Sequence, residues 1–204
     1  MKRHLIFCIA FVAVMTSCVK EPQIYRRLTK EEAAAIPYQI GESIRMLDQN
    51  DDTICLTVVH DTNYVAINYN DYNYYPTSKM SIEPHPYYYM REVVFQSPPE
   101  DSCLLRCCVA PEKVITISYE KQRLGNGYYE DYFYYWQNIL DRTLSLNNLP
   151  TTSFSVGETT YDNVYFEEGS YMTDFNTISY AWYYSEQFGL LAAKDGEHSL
   201  TLLP

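Results

Sequence analysis

From Ile40 onward, apolar and polar residues alternate with a period of two. In "TICLTVVH", Thr53 to His60, the residues Thr53, Cys55, Thr57 and Val59 alternate with Ile54, Leu56 and Val58. That period, with many β-branched side chains, predicts a strand. Just before it, "SIRML" and "DQNDD" predict a strand and a hairpin turn, because Asn and Asp tolerate turn geometry. Further strands are expected at Tyr64–Tyr69, Tyr87–Gln96, Cys103–Val109 and Val114–Glu120. Others are expected at Asn163–Glu167, Thr177–Ser185, Leu190–Lys194 and Ser199–Leu203. "SPPED", "APE", "LGNG" and "KDGE" supply turns between them. Many short strands at this spacing predict an all-β antiparallel domain, a sandwich or a strongly curved sheet.

Two segments depart from that period. Thr29-Lys30-Glu31-Glu32 has capping-box spacing before Ala33–Ala35, and Pro37 disfavours helical geometry at Ile36. This predicts one short helix over 30–35. "YYEDYFYYWQNILDRTLSL", residues 128–146, places Tyr129, Tyr132, Phe133, Trp136, Ile139 and Leu140 at helical spacing. Its dense aromatics suit a strand equally, and the β-rich surroundings favour strand over residues 129–144.

The N-terminus follows another logic. A basic head, Met1-Lys2-Arg3-His4, precedes the uncharged run "LIFCIAFVAVM". Eleven helical residues span roughly 16 Å, short of a ~30 Å hydrocarbon core, so the run reads as a secretory signal. Met15-Thr16-Ser17-Cys18 resembles a bacterial lipobox, with Met15 where Leu is more usual. The resemblance implies that residues 1–17 are removed and that Cys18 carries the lipid. A diacylglycerol thioether with an added acyl chain such as palmitate would exceed the marginal binding of one chain. Val19 to Leu28 has no apolar period and reads as a lipidated tether, 18–28, before a single domain, 29–204.

Removing Lys2 and Arg3 leaves thirteen basic residues against twenty-six acidic ones, a formal charge of −13. That balance repels nucleic acid, so no nucleic-acid partner is expected. The expected partner is the membrane, through the lipid on Cys18.

Near the C-terminus, Tyr161, Asn163, Val164 and Tyr165 are followed by Tyr183, Tyr184 and Ser185, then by Gly189, Leu190, Leu191, Asp195 and Gly196. This pattern resembles the closing segment of small uncharacterised lipoproteins of Bacteroides-like bacteria. It covers about the last fifty residues and implies an outer-membrane lipoprotein, with the leaflet left open. It implies no active site. Independently, Gly189 suits a bend into a strand and Asp195-Gly196 a tight hairpin turn.

Candidate chemistry is sparse. His60, His85 and His198 lack a second ligand at metal spacing, so they read as surface or turn residues and no cofactor or metal is expected. Glu130-Asp131 and Glu167-Glu168 pair neighbours that face opposite sides of a strand, which does not suit acid–base work. An enzyme is not expected. Cys103 and Cys107, extended, lie roughly 13 Å apart, beyond the about 7 Å that a disulfide spans. Adjacent Cys107 and Cys108 face opposite ways. A bridge to Cys55 and a set of unbridged thiols both remain open.

Twenty-two tyrosines remain. In "NYNDYNYYPTS", Tyr69, Tyr72, Tyr74 and Tyr75 stand beside Asn and Asp, as in a sugar-stacking platform, although cross-strand aromatic pairing explains Tyr-rich strands as well. The resulting expectation is a lipid-anchored cell-envelope protein with a non-catalytic binding or structural role. The alternatives are a surface glycan-binding module and a carrier of lipid or lipoprotein in a half-barrel sheet. A glycan or another envelope protein is the expected ligand class.

Overall fold

The computed structural model describes residues 24–67, 87–99, 102–126, 132–173 and 176–204. Tyr69, Tyr72, Tyr74, Tyr75 and Cys18 lie outside the described residues.

The expected short helix, α1 (Lys30–Ala34), forms with both halves of its capping box. Thr29 Oγ1 accepts from Glu32 N at 3.1 Å and Glu32 Oε2 accepts from Thr29 N at 2.8 Å. Almost everything else is strand: β1 (Ile24–Arg26), β2 (Ser43–Asp48), β3 (Thr53–Ile67), β4 (Tyr87–Gln96), β5 (Cys103–Ala110), β6 (Val114–Asn126), β7 (Tyr132–Ser145), β8 (Thr151–Val156), β9 (Thr159–Met172), β10 (Thr177–Ser185), β11 (Gly189–Asp195) and β12 (His198–Leu202). The described strands join one sheet in the order β7-β6-β5-β4-β3-β2-β12-β11-β10-β9-β8, with β1 added alongside β4. Every pair along that path is antiparallel. The all-β curved sheet expected from the period-two pattern is the fold.

Several boundaries differ from the sequence reading for physical reasons. Thr53–His60 and the described part of the expected Tyr64–Tyr69 strand, to Ile67, merge into one long β3, because a bulge between Val58 and His60 absorbs the break in alternation. Residues 129–144 lie largely within β7, whose helical spacing is overridden by pairing with β6 along its length. Ile24–Arg26, assigned to the tether, forms β1. It runs parallel to Tyr87–Tyr88 because β5 pairs with β4 only from Arg91 onward and leaves that edge free.

The sheet curls strongly. Trp182, Tyr184, Leu190 and Leu200 of β10–β12 bury in one cluster with Met46, Ile54, Leu56, Phe95, Leu105, Ile117, Tyr119, Leu140 and Leu144. Since β7 stands at one end of the strand order, contact between Leu140 or Leu144 and β10–β12 requires the sheet to roll back on itself. A smaller cluster of Val156, Tyr161, Val164 and Leu191 lies on the opposite face, where β9 bends at Asn163 (φ 56°).

One end of the roll is filled by the strap that comes after α1. Ala35, Ile36 and Tyr38 are buried in the main cluster. Tyr184 Oη donates to Ala35 O at 2.7 Å, and Leu190 N donates to Tyr38 Oη at 2.9 Å. Arg91 gathers the other carbonyls of this region. Its Nη1 donates to Ala33 O and Ile36 O, both at 2.7 Å, and its Nη2 donates to Tyr38 O at 2.8 Å. Asp61 receives the remaining donors, from Nε and Nη2, at 2.9 Å. Glu32, also buried, accepts from Arg26 Nη2 and from Glu112 N, both at 2.7 Å, tying α1 to the β5–β6 turn. Burial raises the Glu32 pKa, but these bonds outweigh it and leave the carboxyl below its ordinary value.

The cysteines decide between the two sequence readings: the four described ones stand as thiols, outside any disulfide. Cys103 and Cys107 share the core face of β5 and are not bonded to each other, as extended geometry requires. Cys55 faces outward, between inward-facing Ile54 and Leu56, so it cannot reach them. Burial pushes the Cys107 thiol far up, and burial with Glu92 nearby lifts Cys108 to about 11, so both stay protonated at neutral pH.

Candidate functional site

A concave feature among the described residues lies where the rolled sheet fails to close. Leu140, Arg142 and Leu144 alternate along β7 and point towards β9–β11. Arg142 spans the gap with Nε and Nη2 both on the Glu167 carboxylate of β9. Its guanidinium carbon also lies 4.0 Å above the centre of the Tyr180 ring on β10. Gly169 pairs opposite Tyr180, and a Cβ there would come within 2.6 Å of the Tyr180 hydroxyl. The missing side chain lets the ring lie flat across β9. Arg142 therefore closes one stretch of the opening.

Beyond Arg142 the layers diverge into an open cleft of about 550 Å³. Ile139 of β7 forms one wall. Opposite stand Tyr171 at the end of β9, Asn176 to Ser179 at the start of β10, and Asp195 to His198 at the β11–β12 turn. The local sequence explains this placement. Ile178 pairs with Tyr171 across β9–β10, which puts both side chains on the cleft face. Gly196 takes φ 61° in the turn, and its N–H donates to Ser179 O at 3.0 Å, holding the hairpin tip against β10. Tyr171 Oη then donates to Asp195 Oδ1 at 3.0 Å. That bond raises the pKa of the phenol, which stays neutral, and fixes a ring that is 42% exposed. His198 pairs with Asp195 across the turn, and its Nδ1 is shielded from solvent without a hydrogen-bond partner.

The cleft can hold a ligand by stacking and hydrogen bonding, with Asp195 and Glu197 supplying negative charge. It offers no Lys or Arg among its lining residues. Among the described residues, no three His, Cys, Asp or Glu side chains stand close enough to hold a metal ion. Glu167 and Glu168 face opposite sides of β9, as expected. The first is held by Arg142 and the second accepts from Tyr183 Oη. His60 is exposed, and Glu130, Asp131 and His85 lie outside the described residues.

Of the residues singled out in the sequence, Asp195 and Gly196 do form the tight turn, and that turn also walls the cleft. Gly189 (φ 78°) bends the entry to β11, as expected, but lies at the opposite, strap-filled end. Tyr171, Arg142 and Ile139 were not legible as site residues. Register and the roll of the sheet bring them together, and no local motif marks them.

A second cleft of about 410 Å³ lies beside α1, between Arg27 to Lys30 and Ala33 on one side and Asn63 and Tyr89 on the other. At that same end Lys113 bridges Glu31 at 3.0 Å and Glu186 at 3.0 Å, and these carboxylates raise its pKa to about 12. Tyr165 Oη donates to the same Glu186 at 2.8 Å. Lys113 and Glu112 both have positive φ, at 54° and 67°, so the carboxylates hold a strained turn in place. These ionised groups are thus engaged in holding the fold. No protein-family model, curated protein or solved structure matches the chain.

Proposed function

We propose that the protein is a lipid-anchored cell-envelope binding protein without catalytic chemistry, tethered through Cys18 to the outer membrane. The observation that carries this reading is the opposition of the two ends of the sheet. β1, which forms within the segment read as the tether, pairs with Tyr87–Tyr88 at the start of β4. From there the registers run through Gln96, Thr57 and Ser43 along β4, β3 and β2 towards the β2–β3 turn, the end where β12 begins with His198. A chain anchored at one end would present the cleft at the other, away from the bilayer.

The lipobox-like Met15-Thr16-Ser17-Cys18 supports the anchor, and the expected thioether lipid would suffice for stable attachment. A lipid carrier is the less favoured reading. It would need a deep apolar groove, and among the described residues the concave face is occupied by Phe95, Tyr119, Trp182, Tyr184 and the strap residues Ile36 and Tyr38. A binder uses the sheet as a filled scaffold and meets its ligand outside the core.

Expression of the full chain with an alkyne-tagged palmitate tests the anchor. The wild type is expected to be labelled and to sediment with outer membranes, whereas Cys18→Ala is expected to lose the label and appear in the soluble fraction. Unlabelled wild type, or a membrane-bound Cys18→Ala variant of unchanged mass, would overturn the reading.

A further inference from the structure

We infer that the open cleft at the β9–β10 and β11–β12 tips is a saccharide site selective for neutral sugars. This rests on the binding-protein reading above and names the ligand class of its site. Three observations converge. First, Tyr171 is both exposed and immobilised: its hydroxyl is committed to Asp195 Oδ1 at 3.0 Å while its ring stays open to solvent. A ring already fixed loses little further entropy when a pyranose stacks on it, and its polarised face attracts the C–H groups of the sugar. Second, apolar Ile139 and Ile178 flank a set of short polar side chains, among them Asn176 and Asp195, while Arg142, whose charge reaches Tyr171, is already engaged by the Glu167 carboxylate. Sugars need this mixture, an apolar contact for one ring face and acceptors for the hydroxyls at its edge. Asp195 commits one carboxylate oxygen to Tyr171 and keeps the other for a ligand hydroxyl. Third, Asp195 and Glu197 line the cleft of a chain whose formal charge is −11 as translated and −13 without Lys2 and Arg3. Uronic acids and sulfated sugars would meet like charge there, which selects against them.

The tyrosines that the sequence suggested for sugar stacking are not needed by this site. Its platform is the last tyrosine of β9, held by a turn acid twenty-four positions later.

The test uses the full-length protein in detergent, titrated by calorimetry with maltotriose, mannotriose, xylotriose and chitotriose, and with a trigalacturonate as the anionic counterpart. At least one neutral trisaccharide is expected to bind and the trigalacturonate is not. Tyr171→Ala is expected to weaken binding about tenfold, the loss of one aromatic contact of ~1.4 kcal/mol. Asp195→Asn is expected to weaken it several-fold, and Tyr171→Phe to keep most of it. Melting temperatures should stay near wild type, since Tyr171 is exposed and Asp195 sits half-buried in a turn outside the core clusters. Failure of all four neutral sugars to bind, preference for trigalacturonate, or full binding by Tyr171→Ala would each overturn the assignment. If no sugar binds while Cys18 is lipidated, the ligand class fails and the tethered reading stands; if Cys18 carries no lipid, the tethered reading fails whatever sugar binds.

Discussion

Gly189→Ala is expected to lower the unfolding free energy by about 3–5 kcal/mol, a loss on the scale of emptying a large core position. Gly189 has φ 78°, a region where an L side chain is strained by roughly 1 kcal/mol. The larger effect is steric. A Cβ at this position would overlap the hydroxyl and ring of Tyr38, which is 2% exposed, with its ring 4.6 Å from Phe95 in an edge-on arrangement. Tyr38 would have to leave the core, giving up both that contact and the hydrogen bond from Leu190 N. Urea denaturation measures the loss. In combination with Tyr38→Ala the cost should be less than the sum of the two single changes, because both act on the same contact. Strict additivity would show that the strap does not fill that end of the sheet.

Arg91→Met is expected to destabilise by a similar about 3–5 kcal/mol, the range for removing one partner from a desolvated ion pair. The Arg91 side chain is only 14% exposed, and its donors go to the carbonyls of Ala33, Ile36 and Tyr38 and to both oxygens of Asp61. Methionine fills similar volume but leaves the carboxylate and the carbonyls without a donor. Arg91→Lys should recover little, since an ammonium cannot reproduce the planar fork that reaches Ala33, Ile36 and Tyr38 together. Amide exchange should localise the damage: the α1 and strap amides are expected to lose protection before those of β10–β11. Thermal melting within a degree or two of wild type for Arg91→Met would contradict this role.

How much of this was legible in the sequence depended on the range of the interactions involved. The helix start was readable because a capping box is local: Thr29 and Glu32 satisfy each other within one turn. The strands of the core were readable because alternation in β3 reports directly on its one buried face, and the nearly unbroken apolar run of β5 reports a strand buried along most of its length. β8 went unread. Its residues "TTSFSV" are mostly exposed, with only Val156 buried, and a strand with little to bury leaves a weak period. β7 was ambiguous because paired aromatics satisfy both periods, and only the register with β6 decides.

The strap was hidden behind Pro37, which correctly marks the end of α1 but carries no signal that the next residues turn into the core. Ile36 and Tyr38 can enter it because Arg91, more than fifty positions away, donates to their carbonyls. The cleft was illegible for the same reason. Ile139, Tyr171 and Asp195 are brought together by the roll of β7 over β9–β12, and Asp195 announced itself only as a turn residue. Gly189 was read as a bend, which is correct, while its second role, making room for Tyr38, is a tertiary fact.

The rolled sheet as a filled scaffold, with its ligand outside the core, is tested most directly by titrating the Cys18→Ala chain with cis-parinaric acid, whose fluorescence rises when its acyl chain enters an apolar cavity. Ile36, Tyr38, Phe95, Tyr119, Trp182 and Tyr184 occupy the concave face, so no saturable uptake is expected. Saturable binding of one acyl chain per protein, displaced by unlabelled palmitate, would contradict it and make the protein a lipid carrier.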